Sequence, residues 1–156
     1  MSPESVQELL REGRIERVPA DDESGQSMLE EAQRHLFSAE TIMALDASGA
    51  YSLIYDAARK AVSGHMLAKG FRAASGRPGG HAAVIAYASA TFRGAGVTDV
   101  IRGFDRMRRT RHRVEYDAAI VGEAQLTGDL EAARKIVDLV ERSWPARSGP
   151  ESSRGG

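Results

Sequence analysis

The sequence has no cysteine, no long apolar run and no secretory leader, and each absence excludes a class of protein. Without cysteine there is no disulfide, no thiolate metal site and no cysteine nucleophile. The longest weakly polar run, His81 to Phe92, is too short and too polar to cross a bilayer. The first residues carry four glutamates where a signal would carry basic and then apolar residues. We therefore expect a cytoplasmic protein without a membrane segment.

Charge is distributed unevenly along the 156 residues, although the net charge is only −1. Residues 1–46 carry a net charge of −7, and residues 47–156 carry +6. Such halves can pair within one molecule or across a dimer, or they can leave a basic face open. The length fits a single domain, which we place at residues 1–145. The Gly-, Ser- and Arg-rich residues 146–156 are expected to form a disordered tail.

Apolar residues recur at helical spacing through most of the chain, which predicts an all-α fold. No convincing alternation of period two is present, so no strand is predicted. The four main helices are expected at residues 28–43, 51–67, 100–116 and 123–144. One or two short helices are added, at the N-terminus and near residues 81–92. The predicted architecture is a bundle of four main antiparallel helices.

Capping residues predict where the helices begin and end. The expected caps are Ser2 for the first helix, Asp22 or Ser24 for the second, Gly70 for the end of the third, and Thr98 or Asp99 for the helix at residues 100–116. Gly13 is expected to end the first helix. Small residues on the third helix, among them Ala57, Ala61 and Gly64, would let another helix approach closely.

The most distinctive stretch is residues 101–117, which reads IRGFDRMRRTRHRVEYD. It holds six arginines, three acids, one histidine and one tyrosine. Because buried charge must be paired, so many guanidinium groups must face water, an acidic partner or phosphate. An arginine-rich helix is most often a solvated or partner-facing surface, and its arginines could pair with Glu30 or Glu31 of the acidic second helix.

Helical spacing sorts these side chains into rows. Arg108, His112 and Tyr116 form one row. The second row contains Arg102, Arg106, Arg109 and Arg113. Arg111 and Glu115 are four residues apart and can pair. Arginine can stabilise charge on a phosphate, and histidine can transfer a proton near neutral pH. Cleavage of RNA needs no metal or cofactor in such a site, because the 2′-hydroxyl of RNA can act as the nucleophile.

Three features of the chain resemble the HEPN superfamily of small helical-bundle proteins. The first is the helix YSLIYDAARKA at residues 51–61, and the second is the Arg-Pro-Gly-rich loop that ends at His81. The third is RRTRHRVEY at residues 108–116, which is similar to an R-x-R-N-x-x-E-Y block in one branch of the superfamily. Catalytic HEPN proteins carry an arginine and a histidine with four to six residues between them, and Arg106 and His112 fit that spacing.

The resemblance implies an RNA-acting protein, a metal-independent endoribonuclease that serves as the toxin of a toxin–antitoxin or defence pair. Arg106 would hold the scissile phosphate, and His112 would be the acid or base. The implied nucleic-acid contacts are Arg102, Arg108, Arg109, Arg113 and Tyr116. The implied partners are RNA or a nucleotide, a second copy of the chain, and a cognate antitoxin or nucleotidyltransferase.

A second interpretation of the same residues is a non-catalytic HEPN module that binds nucleotide, nucleic acid or an acidic protein. It stays open because the residue after the arginine is usually polar in the family and is Met107 here. Other residues receive structural roles by default. His81 is expected at a helix start, with a phosphate contact as the lesser alternative. Tyr51, Tyr55 and Tyr87 are expected to be core or interface aromatics.

Overall fold

The computed structural model describes residues 5–146, and within them the protein has six helices and one two-stranded sheet. In chain order the elements are α1 (Val6–Arg11), β1 (Ile15–Arg17), α2 (Asp22–Ile42), α3 (Ala47–Lys69), β2 (Phe71–Ala73), α4 (Gly80–Thr91), α5 (Val97–Tyr116) and α6 (Glu123–Arg142). The all-α class is confirmed, with α2, α3, α5 and α6 as the four long helices. The expected cap at Ser2 and the expected tail beyond Ala146 lie outside the described residues.

Local side-chain hydrogen bonds determine where the first two helices begin. Ser5 and Glu8 form a capping box, in which each side chain accepts a hydrogen bond from the other residue's backbone N–H at 3.1 Å. For α2 the expected caps, Asp22 and Ser24, were wrong by one and three residues. Asp21 is the cap, because its carboxylate accepts the backbone N–H of Ser24 at 3.0 Å.

Glycines mark two further boundaries. Gly70 ends α3 in the left-handed conformation, at φ 88°, as predicted. The expected cap of α5 at Thr98 or Asp99 was wrong, because Gly96 at φ 78° turns the chain into the helix earlier. At the far end of the chain, α6 stops at Arg142, two residues before the predicted end at Trp144.

The helices α2 and α3 form a tightly packed hairpin through two glycines. A Cβ atom placed on Gly64 would lie 2.6 Å from the backbone oxygen of Gly25, closer than real Cβ atoms approach. A Cβ atom placed on Gly25 would likewise lie 2.5 Å from the backbone oxygen of Gly64. The prediction that small residues on the third helix permit close approach is therefore confirmed.

A short antiparallel ladder, missed from the sequence, joins β1 to β2. Ile15 pairs with Ala73, and Arg17 pairs with Phe71. Three-residue strands are too short to show an alternating pattern, which is why no strand was predicted. The Arg77 guanidinium, in the loop after β2, donates to the backbone oxygens of Glu12 and Gly13 at 3.1 and 2.9 Å. The ladder and this contact fix the chain that leads into α4.

The helix α5 lies against the core by one face and exposes the other. Ile101, Phe104, Met107 and Thr110 are buried on it, and Val114 packs partly against the core. α5 runs unbroken from residue 97 to residue 116, and Thr110 continues the buried stripe between Met107 and Val114. Within residues 5–146, no helix is both long and apolar enough to cross a membrane.

Candidate functional site: an arginine-lined cleft

An open cleft of about 840 Å³ lies between α3, the start of α4 and α5. We call it the arginine cleft. The residues that line it are Tyr55, Gly79, Gly80, His81, Ala82, Arg106, Arg108, Arg109, Arg111, His112, Arg113 and Tyr116. Five guanidinium groups and two imidazoles therefore share one concave surface, and none of its lining residues is acidic. This volume lies within the range of about 300–1,000 Å³ that small-molecule ligands occupy.

Most of the residues predicted from sequence as a site meet in this cleft. Six of the seven line it, namely Arg106, Arg108, Arg109, His112, Arg113 and Tyr116. The seventh, Arg102, lies in a separate groove with Arg93 and faces Asp99 at 3.6 Å. The exposed arginines of α5 thus belong to two different surfaces, although they share one row along the helix.

Two members of the predicted row, His112 and Tyr116, are in contact, with ring centroids 4.7 Å apart and ring planes at 43°. The third member, Arg108, lines the same cleft. The side chains of His112 and Tyr116 are both exposed, so the imidazole of His112 is open to solvent and to a ligand. Within the described residues, His112 has no hydrogen-bond partner or ion pair. Both of its ring nitrogens are therefore available to form a hydrogen bond with a ligand.

Arg106 is held by a buried carboxylate that the sequence did not reveal. Asp129, on α6, has a side chain only 4% exposed, and it accepts a hydrogen bond from Nη2 of Arg106 at 3.0 Å. The hydroxyl of Tyr51, on α3, donates to the other oxygen of the same carboxylate at 2.7 Å. Burial and the neighbouring Asp129 raise the pKa of Tyr51, so it remains a hydrogen-bond donor. Three helices thus position one arginine at the edge of the cleft.

Carboxylates on α5 itself bind three other cleft arginines. Asp105 accepts from Arg108 at 3.0 Å and from Arg109 at 3.1 Å. The Arg111–Glu115 pair predicted from i, i+4 spacing is present. The Arg109 side chain is 66% exposed, so its pair contributes little stability and it can exchange partners, whereas Arg108 and Arg111 are half-buried.

Arg113 differs from the other cleft arginines, because it forms no ion pair with any described residue. Its Nη2 lies 3.4 Å from Oγ1 of Thr110, which also accepts from Gln125 at 3.3 Å. The alternative that α2 neutralises the arginine row is not what the structure shows. Glu31 of α2 pairs with Lys60 of α3 instead.

Sequence reasoning missed the contact that brings α3 and α4 together at the cleft. The hydroxyl of Tyr55 lies 3.0 Å from Nδ1 of His81, and the two rings are 5.7 Å apart. His81 is in the first turn of α4, as predicted, and its ring is exposed to the cleft. Tyr55 is fully buried, as predicted for a core aromatic, yet its hydroxyl reaches the site. No local pattern could reveal a pair that is 26 residues apart.

Burial and nearby positive charge shift the pKa values of both His81 and Tyr55. Partial burial lowers the pKa of His81, and the guanidinium groups of Arg59, Arg111 and Arg108 lower it further, with Asp56 acting in the opposite direction. Burial raises the pKa of the Tyr55 phenol to about 12. At neutral pH the cleft therefore holds a neutral His81 beside a protonated Tyr55.

Comparison with known proteins identifies no relative. No family model matches the sequence, and neither a curated protein nor a solved structure matches it significantly. Among residues 5–146, no three or more histidine and acidic side chains are grouped in a way that could hold a metal ion. The resemblance to HEPN proteins therefore depends on three sequence features alone: the helix at residues 51–61, the loop before His81, and residues 108–116.

Proposed function

We propose that the protein binds RNA in the arginine cleft and cleaves it there without a metal ion, as a HEPN-type endoribonuclease. The observation that carries this proposal is the meeting of five arginines and two histidines, with no acidic residue, on one concave surface. Guanidinium groups bind phosphate oxygens through paired hydrogen bonds in a fork geometry, and histidine is the usual proton carrier near neutral pH.

The charge balance of the cleft supports binding of a polyanion. Four of its five guanidinium groups contact three carboxylates, those of Asp105, Glu115 and Asp129, so the cleft has a surplus of two positive charges. Arg113 is the first phosphate ligand in this scheme, because it must break no ion pair to bind. Arg108, Arg109 and Tyr116 would contact the neighbouring nucleotides.

The chemistry follows from RNA itself. The 2′-oxygen attacks the adjacent phosphorus, the bond from phosphorus to the 5′-oxygen breaks, and a cyclic phosphate and a free 5′-hydroxyl result. One proton leaves the 2′-hydroxyl and one joins the 5′-oxygen, so the site must accept one proton and supply another. His112 would carry out one of these transfers, and Arg106 would stabilise the charge that develops on the phosphate.

The biological setting is part of the same proposal. A cytoplasmic toxin of a toxin–antitoxin or defence pair would act as a homodimer, in which two arginine clefts could combine. A cognate antitoxin or nucleotidyltransferase would restrain it. Arg102 then has no phosphate to contact in the cleft of its own subunit, since it lies in the groove with Arg93.

A non-catalytic RNA- or nucleotide-binding module is the second candidate. Two observations favour it. Met107, at a position that is usually polar in catalytic HEPN proteins, is fully buried in the core. Arg106 already donates to the buried carboxylate of Asp129, so it must share or exchange that partner to reach a phosphate.

Cleavage of labelled single-stranded RNA in the presence of EDTA separates the two candidates. We expect cleavage by the unchanged protein and loss of cleavage in His112→Ala, because the proton carrier is removed. His35→Ala is the matched control, since His35 lies on α2 beside Glu31 and does not line the cleft. Binding without cleavage would establish the module, and neither binding nor cleavage would refute both candidates.

A further inference from the structure

The arginine cleft holds two imidazoles, although the resemblance assigns a role to only one of them. His81 comes from the first turn of α4, and His112 comes from the last part of α5. Metal-independent cleavage of RNA needs one group that accepts a proton and one that donates a proton. Assigning these two proton transfers to the two histidines rests on the proposed function.

His81 has the arrangement of an oriented proton acceptor. Its Nδ1 is fixed by the buried hydroxyl of Tyr55 at 3.0 Å, while its Nε2 forms no hydrogen bond with any described residue. The Tyr55 ring is itself fixed, with Phe104 at 6.1 Å on one side and the Arg111 guanidinium over it at 5.7 Å. A neutral imidazole whose Nε2 can accept a proton carries its hydrogen on Nδ1, so in this scheme the Tyr55 oxygen accepts the hydrogen bond from Nδ1–H both before and after the transfer. In many enzymes the base that activates the nucleophile is itself oriented by a hydrogen bond to a third group.

The electrostatic surroundings of His81 come from two helices. From α3, Arg59 and Asp56 act on the imidazole, and they are paired with each other at 3.4 Å. From α5, Arg108 and Arg111 act on it. Arg108 and Arg111 line the same cleft as His81 and His112. A phosphate bound by these arginines would therefore lie in the cleft that both imidazoles line.

We propose that His81 is a second catalytic residue of the cleft and the general base of the cleavage reaction. Nε2 of His81 accepts the proton of the 2′-hydroxyl as the 2′-oxygen bonds to phosphorus. His112, in its protonated form, gives a proton to the 5′-oxygen as the phosphorus–oxygen bond breaks. Release of the product and exchange of one proton with water, from His81 to His112, restores the starting state. Tyr55 is a positioning residue in this scheme.

The test compares His81→Ala with His112→Ala on two substrates in EDTA. On a dinucleotide we expect kcat to fall by about 10²–10⁴-fold in each variant, which is the usual contribution of one acid or base. On a uridine 3′-phosphodiester with a p-nitrophenyl leaving group, no acid is needed. There we expect His112→Ala to retain most activity and His81→Ala to remain inactive.

Two further readouts exclude a purely structural effect. Added imidazole should restore part of the activity of His81→Ala, because a free base can enter the vacated space. The pH profile of kcat/KM should lose its acidic limb in His81→Ala, since that limb reports a base in the free enzyme. Tyr55→Phe should lower kcat and leave KM unchanged. His81 is exposed, so the alanine variant is expected to fold, and its urea unfolding curve checks this.

The outcomes separate this proposal from the proposed function. If the unchanged protein cleaves RNA, and His81→Ala retains its activity to within threefold on both substrates, His81 is not the base and the nuclease assignment stands. If both His112→Ala and His81→Ala regain activity on the p-nitrophenyl substrate, His81 is not the base, and the assignment of roles is overturned. If the unchanged protein cleaves neither substrate, the proposed nuclease function fails, and the role of His81 fails with it.

Discussion

Replacing Asp129 with asparagine should weaken the fold far more than its single lost charge would on the surface. The carboxylate of Asp129 is 4% exposed and accepts two hydrogen bonds, from Tyr51 at 2.7 Å and from Arg106 at 3.0 Å. An asparagine can present only one oxygen. If that oxygen keeps the Tyr51 hydroxyl, the amide N–H₂ faces the Arg106 guanidinium, donor against donor.

The size of the effect follows from these contacts. A hydrogen bond to a charged group contributes about 1.5–3 kcal/mol, and breaking a buried ion pair costs about 3–5 kcal/mol. The Arg106 side chain is 59% exposed and can recover water when it loses Asp129, which reduces the cost. We therefore expect Asp129→Asn to lower the free energy of unfolding by about 2–3 kcal/mol. The total free energy of unfolding of a domain of this kind is about 5–15 kcal/mol.

Urea unfolding followed by circular dichroism measures this loss, with Glu131→Gln as the matched control. Glu131 is on the same helix, two residues away, but its side chain is 59% exposed and its partner is Arg134 at 3.3 Å. The control should change stability by less than about 0.5 kcal/mol. Equal effects of the two substitutions would refute the claim that a buried carboxylate positions Arg106.

Two further predictions concern packing and pH. Gly64→Ala should destabilise the protein by about 1–3 kcal/mol in urea unfolding, because its Cβ would collide with the backbone oxygen of Gly25, whereas Gly128→Ala, with nothing within 4 Å, should be neutral or stabilising. A loss that is equal at both glycines would contradict the hairpin contact. Burial lowers the pKa of His65, so the unfolded state binds its proton more readily, and stability should fall as pH drops below 6.5 toward the folded pKa. The loss of stability at low pH should be smaller in His65→Gln and unchanged in His35→Gln. If His65→Gln loses stability as the unchanged protein does, the loss does not come from His65.

The long helices were predictable from the sequence because each of their apolar stripes extends over about four turns. The stripe of α2 and the end of α3 at Gly70 are local properties, determined by residues a few positions apart. Boundaries set by one hydrogen bond were less accurate. Asp21 caps α2 where Asp22 and Ser24 had equal local support, and only the folded geometry shows which carboxylate reaches the Ser24 N–H.

The gathering of the arginines was predictable from one helix, but their partners on other elements were not. Spacing along α5 placed Arg108 with His112 and paired Arg111 with Glu115, because both relations lie within one helix. The contacts of Arg106 with Asp129 and of Tyr55 with His81 join elements 23 and 26 residues apart. No local pattern carries such information. The roles assigned to these residues in catalysis and RNA binding stay predictions.

The most direct test of the central claim is the salt dependence of RNA binding to the cleft. We expect the affinity for single-stranded RNA to fall as salt rises, by about 0.7 logarithmic units per tenfold change in salt for each phosphate contacted. Arg113→Ala should make this slope shallower by about 0.7, while Arg102→Ala, on the same helix but outside the cleft, should leave it unchanged. Binding that does not respond to salt, or that weakens equally in both variants, would contradict the assignment of the arginine cleft as the RNA site.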